Sequence, residues 1–190
     1  MAVDLIFVPA TIALPSKSAL ADFGWEYIGD SDVRNTIAEE EQYLRFQIEL
    51  LNKLHFTAAG AATCPTYKRK IGLTTRAGLI RSTLLLHASI AEATLLYHAA
   101  ERGYGLPNKK YNWNLGTAMQ AWKDPGSERP RQDVQAIWAT IDELRQLRNH
   151  VHLFNKARDF RGSFGWLLDR EDELLRDGDR MINHLRELQS

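Results

Sequence analysis

The sequence predicts an all-α protein: a bundle of four to five helices joined by long loops, with an extended N-terminal arm. Three observations carry that expectation. After residue 30, apolar residues recur at helical spacing, as in Val33, Ile37, Leu44, Ile48 and Leu51. Glycine and proline gather in short stretches between such runs. No alternation of strands with crossover helices is visible, so a βαβ organisation is excluded. At 190 residues the chain has the length of one domain. It divides into an arm over residues 1–30 and a bundle over residues 31–190.

The arm opens on an apolar stretch from Leu5 to Leu14, broken by Pro9. It is about ten residues long, against the ~20 needed to cross a bilayer. Asp4 precedes it, and no Lys or Arg supplies the positive flank of a secretory leader. The stretch reads as an extended arm or edge strand, where proline is tolerated. No membrane span is expected.

The first long helix is expected from about residue 32 to 56. Ser31 or Asp32 can cap it, and Glu39, Glu40 and Glu41 sit in the half that the macrodipole favours for acids. Residues 57–72, with Gly60, Pro65 and Gly72, form a loop. The second helix runs from about 75 to 102 and stops at Gly103 and Gly105. It is apolar on most sides, so it is the expected central helix. Its small and polar stripe of Thr83, His87, Ala91, Thr94 and His98 suits close packing against a second copy.

Pro107 opens another loop, a short helix follows over about 113–122, and residues 123–131 form an exposed linker. The third long helix is expected over about 132–155 and the fourth over about 167–188. Gly178 interrupts the fourth at a cost of about 1 kcal/mol against Ala, which marks a close helix contact or a kink.

Charge and cysteine content narrow the function classes. Lys+Arg and Asp+Glu are both 24, so the net charge is zero and no global positive field attracts nucleic acid. Local patches remain: Tyr67, Lys68, Arg69 and Lys70 in one loop, and Lys109, Lys110, Tyr111 and Trp113 in another. Such mixtures grip phosphates and stack bases, or are ordinary solvated loops with aromatics tucked inward. The single cysteine, Cys64, excludes an intrachain disulfide and a cysteine zinc site. A lone thiol fits a reducing cytosol, so a cytoplasmic location is expected. His87 and His98 are ~16 Å apart along one helix, too far to share a metal. They read as polar-face or interface residues. No metal or cofactor is expected.

The third helix carries the unusual chemistry. With Arg145 at zero and 100° per residue, Val134, Ile137, Ile141, Leu144 and Val151 fall on one apolar arc between about −20° and −120°. Arg148 falls at about −60°, inside that arc. His152 falls at about −20°, Asn149 at about +40° and His150 at about +140°, toward solvent. A cation on an apolar seam needs a partner, because an unpaired buried charge costs several kcal/mol. Glu92, on a largely apolar face of the second helix, is the candidate. Such a pair can simply set helix register. Alternatively, it fixes the Arg148 fork beside His152 for work on a phosphate.

The stretch Leu144–Phe154, LRQLRNHVHLF, resembles the signature helix of HEPN domains. These are helical bundles whose late helix carries an arginine, a polar residue and a histidine a turn later. The stretch Leu84–Ala100 is similar to the long central helix of that family, with Glu92 in the place of its acidic residue. The resemblance covers roughly residues 73–155. The family pattern has four to six residues between Arg and His; Arg148 and His152 have three. Arg145 and His150 have four, but in a regular helix they point about 140° apart.

The resemblance implies metal-independent RNA cleavage, in which the 2′-hydroxyl attacks the adjacent phosphodiester and leaves a cyclic phosphate. In that scheme His152 is the acid/base, Arg148 the phosphate stabiliser and Asn149 a positioning hydrogen-bonder. Glu92 and Arg145 support them, and Lys68, Arg69, Lys70, Lys109 and Lys110 bind RNA. A homodimer would bring two copies of the site together. The family's settings imply a toxin–antitoxin or phage-defence role, with an antitoxin or other protein partner. The alternative expectation is a non-catalytic HEPN-like module that binds a protein partner, a nucleotide or RNA.

Overall fold

The computed structural model describes residues 13–56, 69–71, 73–108, 112–149 and 164–188. The described chain is predominantly helical, as expected. In order it forms α1 (Lys17–Gly24), α2 (Ser31–Lys53), β1 (Leu54–Phe56), β2 (Arg69–Ile71), α3 (Leu73–Glu101), α4 (Leu115–Ala121), α5 (Gln132–Gln135), α6 (Trp138–Asn149), α7 (Phe164–Asp169) and α8 (Glu171–Arg186).

The N-terminal arm is not extended over its described part. Ser16 accepts the N–H of Ala19 at 3.1 Å and caps α1. One turn later Leu20 and Ala21 are buried, and Trp25 and Ile28 follow them into the core with no exposed surface. A serine cap followed by a buried apolar pair is a helix start, and it lies downstream of Pro9. Residues 1–12 lie outside the described residues.

The capping residue of α2 is Asp30, rather than Ser31 or Asp32. Its Oδ1 accepts the N–H groups of Asp32 at 2.9 Å and Val33 at 3.1 Å. Helix α2 stops at Lys53, three residues short of expectation. Leu54, His55 and Phe56 instead pair in parallel with Arg69, Lys70 and Ile71. Short apolar runs are where helix and strand patterns are hardest to separate.

Helix α3 is the central element. Ile80, Leu84, Ala88, Ala91, Leu95 and Ala99 are all buried, and Gly103 ends the segment with φ +66°. By length and composition α3 could cross a membrane, a property that the sequence reading missed. Here α2, α4, α6, α7 and α8 pack around it, and a buried core helix has the same composition.

The polar stripe on α3 corrects another expectation. Thr83, His87, Thr94 and His98 have no exposed surface, so they are interior rather than polar-face or dimer residues. Thr83 donates to Oε1 of Gln47 on α2 at 3.0 Å, and Nδ1 of His87 lies 3.0 Å from the Thr83 carbonyl. The close packing is against the chain's own α8, where Gly178 meets the His87 ring.

Two expected long helices are broken. The chain between α5 and α6 is held by an Ile137 N–H to Val134 carbonyl bond of 3.2 Å, a tighter i→i+3 turn. The last helix breaks at Arg170 (φ −115°, ψ 13°). The Arg170 guanidinium reaches Glu143 on α6 and Glu173 on α8. The 123–131 segment is mostly exposed, as expected, and it closes on itself. Arg131 donates to the Trp122 carbonyl at 2.9 Å and Asp124 to that of Arg129 at 2.9 Å.

Candidate functional site

Three helices meet at the candidate site. Asn114 and Thr117 form a reciprocal capping box that fixes the start of α4. The Trp122 indole then donates to the Leu95 carbonyl at 2.9 Å and holds α4 on α3. This places the free N-terminal amides of α4 over Glu92. Oε2 of Glu92 accepts the Leu115 N–H at 2.5 Å and also a bond from Nη1 of Arg148, in the last turn of α6. Glu92 is thus shared between a helix N-terminus and a guanidinium, two positive partners for one carboxylate.

The expected Glu92–Arg148 pair is therefore present, but its setting differs. Arg148 is not buried in an apolar seam: its side chain is 41% exposed, and that of Glu92 is 19%. Leu147, at about −160° on the helical projection, is buried with Ile141 and Leu144. Arg148, at about −60°, still falls between Ile141 and Leu144 on that projection, but it sits in the last turn of α6, where its side chain is exposed at the rim. A charged fork on the rim, held by a half-buried acid, is open to an incoming anion.

The other expected site residues are dispersed. Asn149 is exposed at the end of α6, next to Arg148. Arg145 does not join the Glu92–Arg148 pair. Its Nε and Nη2 donate to Oδ1 of Asp142 at 3.0 and 2.6 Å, beside a cavity between α4 and α6. His152 lies outside the described residues, as do His150, Lys68, Lys109, Lys110, Tyr67 and Tyr111. Arg69 and Lys70 belong to β2 rather than to an open loop. Trp113 donates to the Pro107 carbonyl at 2.8 Å, which ties it to its own loop. Among the described residues, no three of His, Cys, Asp and Glu cluster as metal ligands.

Two buried polar centres escaped the sequence reading. Glu41 is 1% exposed. It accepts the Trp25 indole N–H at 2.8 Å, Nε of Arg45 at 2.7 Å and the Arg186 guanidinium. The signal was available: Glu41 lies four residues after Ile37 and three before Leu44, on the same apolar face. The second is His98, stacked on Tyr27 and edge-on to Tyr97. Neither ring nitrogen has a hydrogen-bond partner among the described residues. Burial, and then the nearby Arg102 charge, push its pKa down to about 4.

No protein-family model, no curated protein and no solved structure matches the chain.

Proposed function

We propose that this is a HEPN-like helical protein that cleaves single-stranded RNA without a metal, acting in the cytoplasm as a homodimer. The observation that carries the reading is the Glu92–Arg148 pair, which leaves a half-exposed guanidinium fixed by an acid that a helix N-terminus also holds. A fixed, solvent-accessible fork is suited to the charge that builds on a phosphorane. His152, four residues further along the sequence, would move the proton between the 2′-hydroxyl and the leaving 5′-oxygen. Asn149 would orient the phosphate. A twofold dimer would supply the second acid/base that one His152 cannot. Control by an antitoxin or another protein partner belongs to the same reading.

A second reading is a non-catalytic module of the same type that binds a protein, a nucleotide or RNA. It is favoured by the zero net charge and by the three-residue spacing between Arg148 and His152.

The test is cleavage of a labelled single-stranded RNA in EDTA, with wild type, His152→Ala and Arg148→Ala side by side. Cutting by the wild type alone supports the nuclease. A folded, dimeric wild type that binds RNA and leaves it intact supports the module. Equal cutting by all three removes both site assignments.

A further inference from the structure

The cavity between α4 and α6, lined by Arg145 one turn before Arg148, is not part of the Glu92–Arg148 pair. It is a cleft of about 350 Å³, open to solvent on one side and within the size range of small-ligand sites. Its walls include Trp138, Asp142 and Arg145 from α6, Gln120 from α4, and Lys123 and Glu128 from the segment after α4. On α6, Trp138, Asp142, Arg145 and Asn149 follow one another at spacings of four, three and four. They form a single stripe that leads to the Arg148 end of the helix.

We propose that this cavity binds one nucleotide of single-stranded RNA, its base against Trp138 and its phosphate between Lys123 and Arg145. The proposal rests on the RNA reading given above and adds where the strand runs. Trp138 is half-buried, so its indole is held by packing and still offers a face for stacking. Lys123 and Arg145 come from opposite walls. Each has a carboxylate partner, Glu128 and Asp142 respectively.

Those two pairs are unequal. The Glu128 side chain is 87% exposed, so a phosphate can displace it from Lys123 with little loss. Asp142 is anchored by Arg145 and by Gln146 at 2.6 Å, so it stays and presents an acceptor to the N–H groups of a base. The four charged groups sum to zero. That balance disfavours a bare polyanion and suits a nucleotide, which brings one phosphate together with an aromatic ring. Trp138 lies ten residues before Arg148, about 15 Å along the helix. The base bound at Trp138 is therefore on the same strand as the scissile bond but more than one nucleotide away from it.

The experiment is fluorescence anisotropy of the full chain with a labelled single-stranded 2′-O-methyl RNA, which lacks the attacking hydroxyl and reports binding alone. Arg145→Ala and Trp138→Leu should each weaken binding about tenfold. Should Trp138→Leu fail to fold by circular dichroism, Arg145→Ala carries the test, since that side chain is 35% exposed. Inorganic polyphosphate should compete far less well than the RNA. Wild-type affinity in both folded variants would overturn the cavity assignment, and would leave the nuclease reading standing if Arg148→Ala still abolished cleavage of ordinary RNA. Equal competition by polyphosphate would also overturn it, leaving an anion site only. A wild type that neither binds nor cuts RNA would remove both proposals.

Discussion

Gly178 on α8 lies against the His87 ring on α3: a Cβ at position 178 would stand 2.6 Å from both Cδ2 and Nε2 of the imidazole. The ring has no exposed surface, and its Nδ1 is held 3.0 Å from the Thr83 carbonyl, so it has little freedom to retreat. An alanine at a helical glycine gains about 1 kcal/mol of propensity, but overpacking costs about 1–3 kcal/mol. Gly178→Ala should therefore lower stability by up to about 2 kcal/mol in urea denaturation. In a His87→Ala background the same substitution should be neutral or stabilising. Equal destabilisation in both backgrounds would show that the contact does not govern the choice of glycine.

Glu41 joins three elements. It accepts from Trp25 after α1, from Arg45 one turn on, and from Arg186 at the end of α8. Truncation would leave a buried indole N–H unpaired and the Arg186 charge uncompensated. Glu41→Ala should cost about 3–5 kcal/mol, the range for breaking a buried ion pair from one side. Lys17→Ala is the contrast. Its pair with Glu39 is exposed on both sides, so its loss should change stability by less than about 1 kcal/mol.

His98 makes stability depend on pH. Its folded pKa is lowered from 6.5 to about 4. Between those values the unfolded chain takes up a proton that the folded chain refuses. Stability contributed by the neutral ring is therefore present above pH 6.5 and declines as pH falls toward 4. Below that, the loss levels off at about 3 kcal/mol. The difference in unfolding free energy between wild type and His98→Phe isolates this from carboxylate titration and should slope across that window. A flat difference would mean that the ring is protonated as readily in the folded chain as in the unfolded one.

Glu92 and Arg148 should separate stability from function. The Arg148 side is well exposed, so Arg148→Ala should cost under about 1 kcal/mol. Glu92→Ala also strips the Leu115 N–H of its acceptor and should cost about 1–3 kcal/mol. Thermal melts of both variants check the order, and a larger loss from Arg148→Ala would reverse it.

The sequence made the helical character legible, along with the central position of α3 and the pairing of Glu92 with Arg148. Each follows from periodicity over a long window or from one charge matched to another. What it hid depended on neighbours distant in the chain. Arg170 breaks the last helix while meeting Glu143, an acid on another element. Thr83, His87, Thr94 and His98 look like a surface stripe by composition, yet α2, α8 and Tyr27 cover parts of it. Arg148 shows the limit of a projection: its angle lies within the arc of Ile141, Leu144 and Leu147, yet its place in the last turn of α6 leaves it exposed.

The most direct test of the proposed Arg148 site is the chemistry of the ends of an RNA incubated with the protein. A single-stranded RNA incubated with wild type in EDTA should yield fragments ending in 2′,3′-cyclic phosphate, identified by mass spectrometry. Folded Arg148→Ala should yield none. Fragments ending in a 3′-hydroxyl, or the same cyclic ends from Arg148→Ala, would contradict the assignment.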